Sequence, residues 1–83
     1  MTFSLDISEV AEKRLKKFDK EIQRRSFKKV EKLKVNPYYG KPLRYNLTGA
    51  WELYFEKSFR ILYSIDKNNK KVIIESIWHK DEF

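Results

Sequence analysis

The chain has 83 residues, with 19 Lys and Arg against 12 Asp and Glu, one His, no Cys and a net charge of +7. That length implies one small domain, residues 1–83, with a thin stability margin. Its 2 Trp, 5 Tyr and 6 Phe must supply much of the burial. The lack of cysteine excludes a disulfide framework and thiolate zinc sites, and a single histidine argues against a His-rich metal centre.

The charge is unevenly placed. Glu9 to Lys34 carries 11 Lys and Arg against 5 Asp and Glu, and the remainder is close to neutral. A basic stripe of this kind points to a polyanion or an acidic protein as partner. A solvated lysine-rich helix surface is the plainer reading. The opening MTFSLDIS is apolar only at alternate positions. It reads as neither a signal peptide nor a membrane span, so a cytoplasmic protein is expected.

In chain order, Phe3, Leu5 and Ile7 alternate with polar residues, as in a half-buried strand. Ser8 is a good helix N-cap, with Glu9 and Glu12 in the first turn. Ala11, Leu15, Phe18 and Ile22 recur at helical spacing, and the next apolar set is Phe27, Val30 and Leu33. The face slips between them, which predicts two helices joined near Asp19-Lys20, the second ending before Asn36-Pro37. Tyr38 to Pro42 reads as a loop. The period then changes to two, through Leu43, Tyr45 and Leu47, a turn at Thr48-Gly49-Ala50, then Trp51, Leu53 and Phe55. Phe59, Ile61, Tyr63 and Ile65 follow, then the turn-forming Asp66-Lys67-Asn68-Asn69. Val72 to Trp78 is apolar on both faces except at Glu75 and Ser76, so it is expected at the centre of a sheet. The predicted fold is α+β, in the order β-α-α-β-β-β. A helical hairpin covers one face of an antiparallel sheet, and the other face is partly polar or covered by a partner.

No glycine-rich phosphate loop, metal-ligand spacing or convincing carboxylate pair is present. Acid–base chemistry assisted by cations remains, and RNA cleavage by the neighbouring ribose 2′-OH is such a reaction. It needs a base for the 2′ proton, an acid for the 5′ oxygen and a cation for the charge on phosphorus. The residues that break the apolar alternation suit those roles: Glu52, Tyr54, Arg60, His79 and Lys80. Each also has a simpler reading. Arg60 can pair with Glu52 or Glu75 across the sheet, Tyr54 can be an ordinary strand aromatic, and His79 and Lys80 can belong to a solvated tail.

Taken together, PLRYNLTGAWELYFEKSFRILYSI and IESIWHKDEF resemble the RelE/ParE superfamily of toxins from type II toxin–antitoxin pairs. The strand Phe59-Arg60-Ile61-Leu62-Tyr63 resembles the family's YRI-[LV]-Y strand, and the ending from His79 to Phe83 is similar to a YafQ-like tail. The resemblance implies a metal-independent and cofactor-independent endoribonuclease that cleaves mRNA in the ribosomal A site. A RelB-like antitoxin would neutralise it, and no membrane would be involved. The ParE branch implies inhibition of DNA gyrase instead, and a binding-only relative is a third reading. Carried over, Arg60 would clamp phosphate, His79 would transfer a proton, Lys80 would be a second cation and Phe83 would stack on a base. Arg44, Tyr45, Lys13, Lys17, Arg24, Arg25 and Lys28 would contact RNA. Two departures stand out. Glu52 and Tyr54 occupy positions often basic in the family, and Phe83 lacks the phenol hydroxyl found in much of it.

Overall fold

The computed structural model describes residues 2–43 and 49–79. Strand β1 (Ser4–Ile7) leads into α1 (Glu9–Leu15) and α2 (Lys20–Val35). A short 3-10 turn (Pro37–Tyr39) then precedes β2 (Lys41–Pro42), β3 (Ala50–Phe55), β4 (Phe59–Asp66) and β5 (Lys71–His79). The strands form one five-stranded sheet in the order β1-β5-β4-β3-β2.

Ser8 starts α1 as the sequence indicated, and Asp19 of the expected joining turn starts α2. Ser8 caps α1, its Oγ accepting from the Ala11 N–H at 3.1 Å and donating to the Glu75 carbonyl at 2.7 Å. One hydroxyl thus satisfies the helix end and ties it to β5. Asp19 caps α2, accepting from the Ile22 N–H at 2.9 Å. Arg14 Nε donates to the Ile77 carbonyl at 2.9 Å, fixing α1 across β5. Asn36 closes α2 and accepts from the Tyr38 N–H, with Pro37 as the stop.

The hairpins β2–β3, β3–β4 and β4–β5 are antiparallel, as expected. The expectation of a wholly antiparallel sheet is corrected at one edge, because β1 pairs in parallel with β5, from Ser4 opposite Lys71 to Ile7 opposite Ile74. The helix pair supplies the long crossover that a parallel pair requires. Val72 to Trp78 lies inside β5, between β1 and β4. The register of β4 against β5 slips between Leu62 and Tyr63, so Glu75 faces no partner residue. The two polar residues that interrupt this apolar strand therefore mark a β-bulge.

Tyr38 to Pro42 is more ordered than a loop. It holds the 3-10 turn and β2. The expected strand positions Tyr45 and Leu47 lie outside the described residues, as does the predicted site residue Arg44.

The core is built from Ala11, Val30 and Leu33 of the helices against Leu53, Phe55, Phe59, Ile61, Tyr63, Val72, Ile74 and Ile77 of the sheet. This fixes the sheet's two sides. Odd-numbered residues of β3 and β4 face the helices, and Glu52, Tyr54, Arg60 and Leu62 face away.

Candidate functional site

Arg60 stands near one end of the central strand β4, on the sheet face turned away from α1 and α2. In the ladders it lies opposite Tyr54 of β3 and Trp78 of β5, and directly opposite residues share a face. Its guanidinium carbon is 6.0 Å from the Tyr54 ring centroid, within range of a cation–π contact. On the diagonal lies Glu52. Nε of Arg60 donates to Glu52 Oε2, and Nη2 forms an ion pair with the same oxygen. Glu52 is 9% exposed. A carboxylate this buried persists when a cation and hydrogen bonds compensate it. The pairing of Arg60 with Glu52 read from the sequence is therefore present. Ser76 lies on this side too, opposite Leu62, and is buried, with a hydroxyl that has no hydrogen-bond partner among the described residues.

His79 is placed differently. It lies opposite Phe59, a core residue, and meets that ring edge-on at 5.0 Å between centroids. Phe59 in turn touches Phe18 at 5.0 Å and Phe55 at 4.9 Å. The imidazole thus sits on the helix side of the sheet, at the margin of an aromatic cluster. The fold gathers Glu52, Tyr54 and Arg60 on one face and sets His79 on the other. Lys80 and Phe83 lie outside the described residues, as do Arg44 and Tyr45.

The predicted basic residues divide as well. Lys13, Lys17, Arg24, Arg25 and Lys28 are all exposed. Arg24 and Arg25 both bind Glu21, and Arg25 also bridges to Glu56. Hydrogen bonding to Arg24 holds the Glu21 carboxyl below its ordinary value. Arg25 and Lys28 join Lys29 and Lys32 along a groove floored by Phe55 and Glu56. A second groove begins at Lys29 and passes Tyr39, Gly40 and Lys41 to Glu52 and Tyr54. The two share Lys29, so cationic side chains run from α2 to the edge of the Arg60 face.

Sequence reasoning missed Lys29, Lys32, Lys41, Tyr39 and Trp78. Lys29 and Lys32 stand over the Tyr39 ring, at 5.5 and 5.7 Å from its centroid. Helical spacing put Lys29 and Lys32 on one face of α2 with Arg25 and Lys28, but only the return of the chain through β2 shows which face borders the sheet. Trp78 had a readable signal, since it precedes His79 in a strand and so must take the opposite face.

No group of three or more potential metal-binding side chains is clustered among the described residues, and no helix among them is long and apolar enough to cross a membrane.

A helix pair over one face of a five-stranded mixed sheet is the fold of the RelE/ParE class of toxins. The family model described as ParE toxin of type II toxin-antitoxin system, parDE, matches residues 5–82, and the chain belongs to that family. It is 35% identical over 68 residues to the protein named "Putative toxin RelE4" of Methanocaldococcus jannaschii, covering 82% of this chain and 72% of the relative. Among solved structures, it is similar to a chain of the RelBE2 toxin–antitoxin complex of Mycobacterium tuberculosis. That match has a TM-score of 0.88 and 26% identity, over 95% of this chain and 99% of the other. A mutant of E. coli toxin RelE in the free state matches with a TM-score of 0.83 and 20% identity, over 99% of this chain and 87% of that one, which bears on the fold alone.

Proposed function

We propose that this toxin is a ribosome-dependent mRNA endonuclease, neutralised by a RelB-like antitoxin. The observation that carries the reading is Arg60, on the sheet face away from the helices between Tyr54 and Trp78, beside a groove that runs from Lys29 to its neighbours Glu52 and Tyr54. A guanidinium with aromatic neighbours suits a ribose-phosphate whose bases stack beside it. In the reaction, the 2′ oxygen bonds to phosphorus as the bond to the 5′ oxygen breaks. A base removes the 2′ proton and an acid protonates the leaving oxygen. Arg60 would stabilise the charge that develops on the phosphoryl oxygens, and Tyr54 and Trp78 would hold the flanking bases. His79 and Lys80, at the end of β5 and beyond it, are the proposed proton-transfer and second cationic groups. RNA that engages both Arg60 and His79 must pass over that strand end, since the two side chains lie on opposite faces. The antitoxin reading is supported by the relatives solved as toxin–antitoxin complexes.

Primer extension on an mRNA in translating ribosomes tests this. Wild-type protein is expected to cut within A-site codons. Arg60→Ala is expected to lower cutting by about two orders of magnitude, the effect of losing one charge-stabilising group. Cuts that persist with His79→Ala would remove the imidazole from the chemistry and leave the nuclease standing.

The matching family model is the ParE one, which favours gyrase inhibition as the second reading. Blocked supercoiling by the purified protein, with mRNA left intact, would establish it in place of the first.

A further inference from the structure

The Arg60–Glu52 pair has a chemical consequence for the proposed site. A guanidinium presents the same fork of N–H donors to a carboxylate and to a phosphate. Here Nε and Nη2 of Arg60 both converge on Glu52 Oε2. The side chains are 27% and 10% exposed respectively, so water screens the pair only in part. A phosphate arriving at Arg60 meets donors already engaged and a negative charge beside them. Drawing Arg60 away would leave the Glu52 carboxylate buried without its cation, a costly state. The grooves leading to this face carry the opposite sign, through Lys28, Lys29, Lys32 and Lys41.

We infer that Glu52 is a built-in competitor for the phosphate site on Arg60, which therefore admits RNA only when the strand is also anchored along the cationic grooves. The inference rests on the reading that this face meets RNA. It makes Glu52 a positioning residue acting through Arg60, and a determinant of selectivity. Short RNA lacking the groove contacts is rejected, and RNA held against α2 overcomes the competition.

The probe is a single-stranded 2′-O-methyl RNA dodecamer, which lacks the attacking hydroxyl and cannot be cleaved by this route. Its binding to the full chain is followed by fluorescence anisotropy over a range of salt. The set comprises wild type, Glu52→Gln, Arg60→Ala, the double variant, and Glu31→Gln, an exposed site on α2 that reports the general effect of losing one negative charge. Glu52→Gln is expected to bind about tenfold more tightly than wild type, with a salt slope steeper by about 0.7, as for one added phosphate contact on a single strand. Glu31→Gln is expected to gain about twofold at most, the scale of a screened surface charge. In the Arg60→Ala background, Glu52→Gln should gain no more than Glu31→Gln does.

A gain for Glu52→Gln equal to the control, or one that survives loss of Arg60, overturns the inference. If Arg60→Ala still weakens binding by wild type, the RNA reading stands without it. Absence of binding by every variant overturns the inference, and primer extension in translating ribosomes then decides the nuclease reading by itself. Should Glu52→Gln fail to fold, the wild-type Arg60 Nε–H signal in NMR decides. Its displacement on adding the dodecamer supports exchange of partners, and an unmoved signal while RNA binds overturns it.

Discussion

Tyr63 is fully buried, and its hydroxyl does two things at once. It donates to the Pro37 carbonyl at 2.8 Å and accepts from the Gly40 N–H at 3.0 Å. One residue of β4 thus holds both ends of the segment that turns from α2 into β2. Tyr63→Phe would leave a buried donor and acceptor without partners, so a loss of about 1–3 kcal/mol is expected in urea unfolding. Burial also raises the Tyr63 pKa above the ordinary 10.0. The folded chain therefore holds this proton more tightly than the unfolded chain. The associated stability is complete below about pH 10 and is lost as pH rises through the folded value. Phenolate absorbance should show one tyrosine that ionises late, and Tyr63→Phe should remove that phase. The sequence displayed Tyr63 as a core residue by alternation. Its second role was invisible there, because its partners lie 23 and 26 residues away in a segment with no periodic pattern.

Elements of this protein fall into those with a pattern of their own and those defined by their neighbours. The helices, β3, β4 and β5 were legible because caps and periodicity act within a few residues. The short β2 was not, since it is held by contacts from β3 and Tyr63. Gly40 shows the constraint. A Cβ there would lie 2.3 Å from the Glu52 carbonyl oxygen and 2.6 Å from the Tyr63 hydroxyl. Gly40→Ala is expected to push β2 away from β3 and cost about 1–3 kcal/mol, with earlier amide exchange at Lys41 as its local sign. The β3–β4 turn carries the opposite liability. Glu56 and Lys57 both hold positive φ, at 56° and 59°, where L residues other than Asn and Asp are uncommon. Lys57→Gly should relieve that strain and stabilise the hairpin by about 1 kcal/mol, measured as a rise in the urea midpoint at unchanged slope. The separation of Arg60 from His79 belongs to this scale too. Residues 19 apart give no clue to shared sides until register is known, and register places Arg60 opposite Trp78 and Phe59 opposite His79.

At the scale of the whole molecule, the net charge of +7 is organised by where α2 lies. Its basic face lines grooves with Phe55 and Leu53 of β3, and the second of these continues to Tyr54 on the Arg60 face. Lys13 and Lys17 of the α1 region line neither groove. If RNA follows the grooves, Lys29 and Lys32 contribute phosphate contacts, and Lys13 and Lys17 act only through the general field. Two double reversals separate these cases, Lys29→Glu with Lys32→Glu, and Lys13→Glu with Lys17→Glu. Both lower the net charge by the same amount, so long-range attraction changes equally. The groove pair should weaken binding of single-stranded RNA more strongly and flatten its salt slope by about 1.4, two phosphate contacts on a single strand. The α1-region pair should shift affinity with the slope nearly intact. Equal slopes for the two would mean that the protein attracts RNA by its overall charge, and that the path along α2 to Arg60 has no part in holding it.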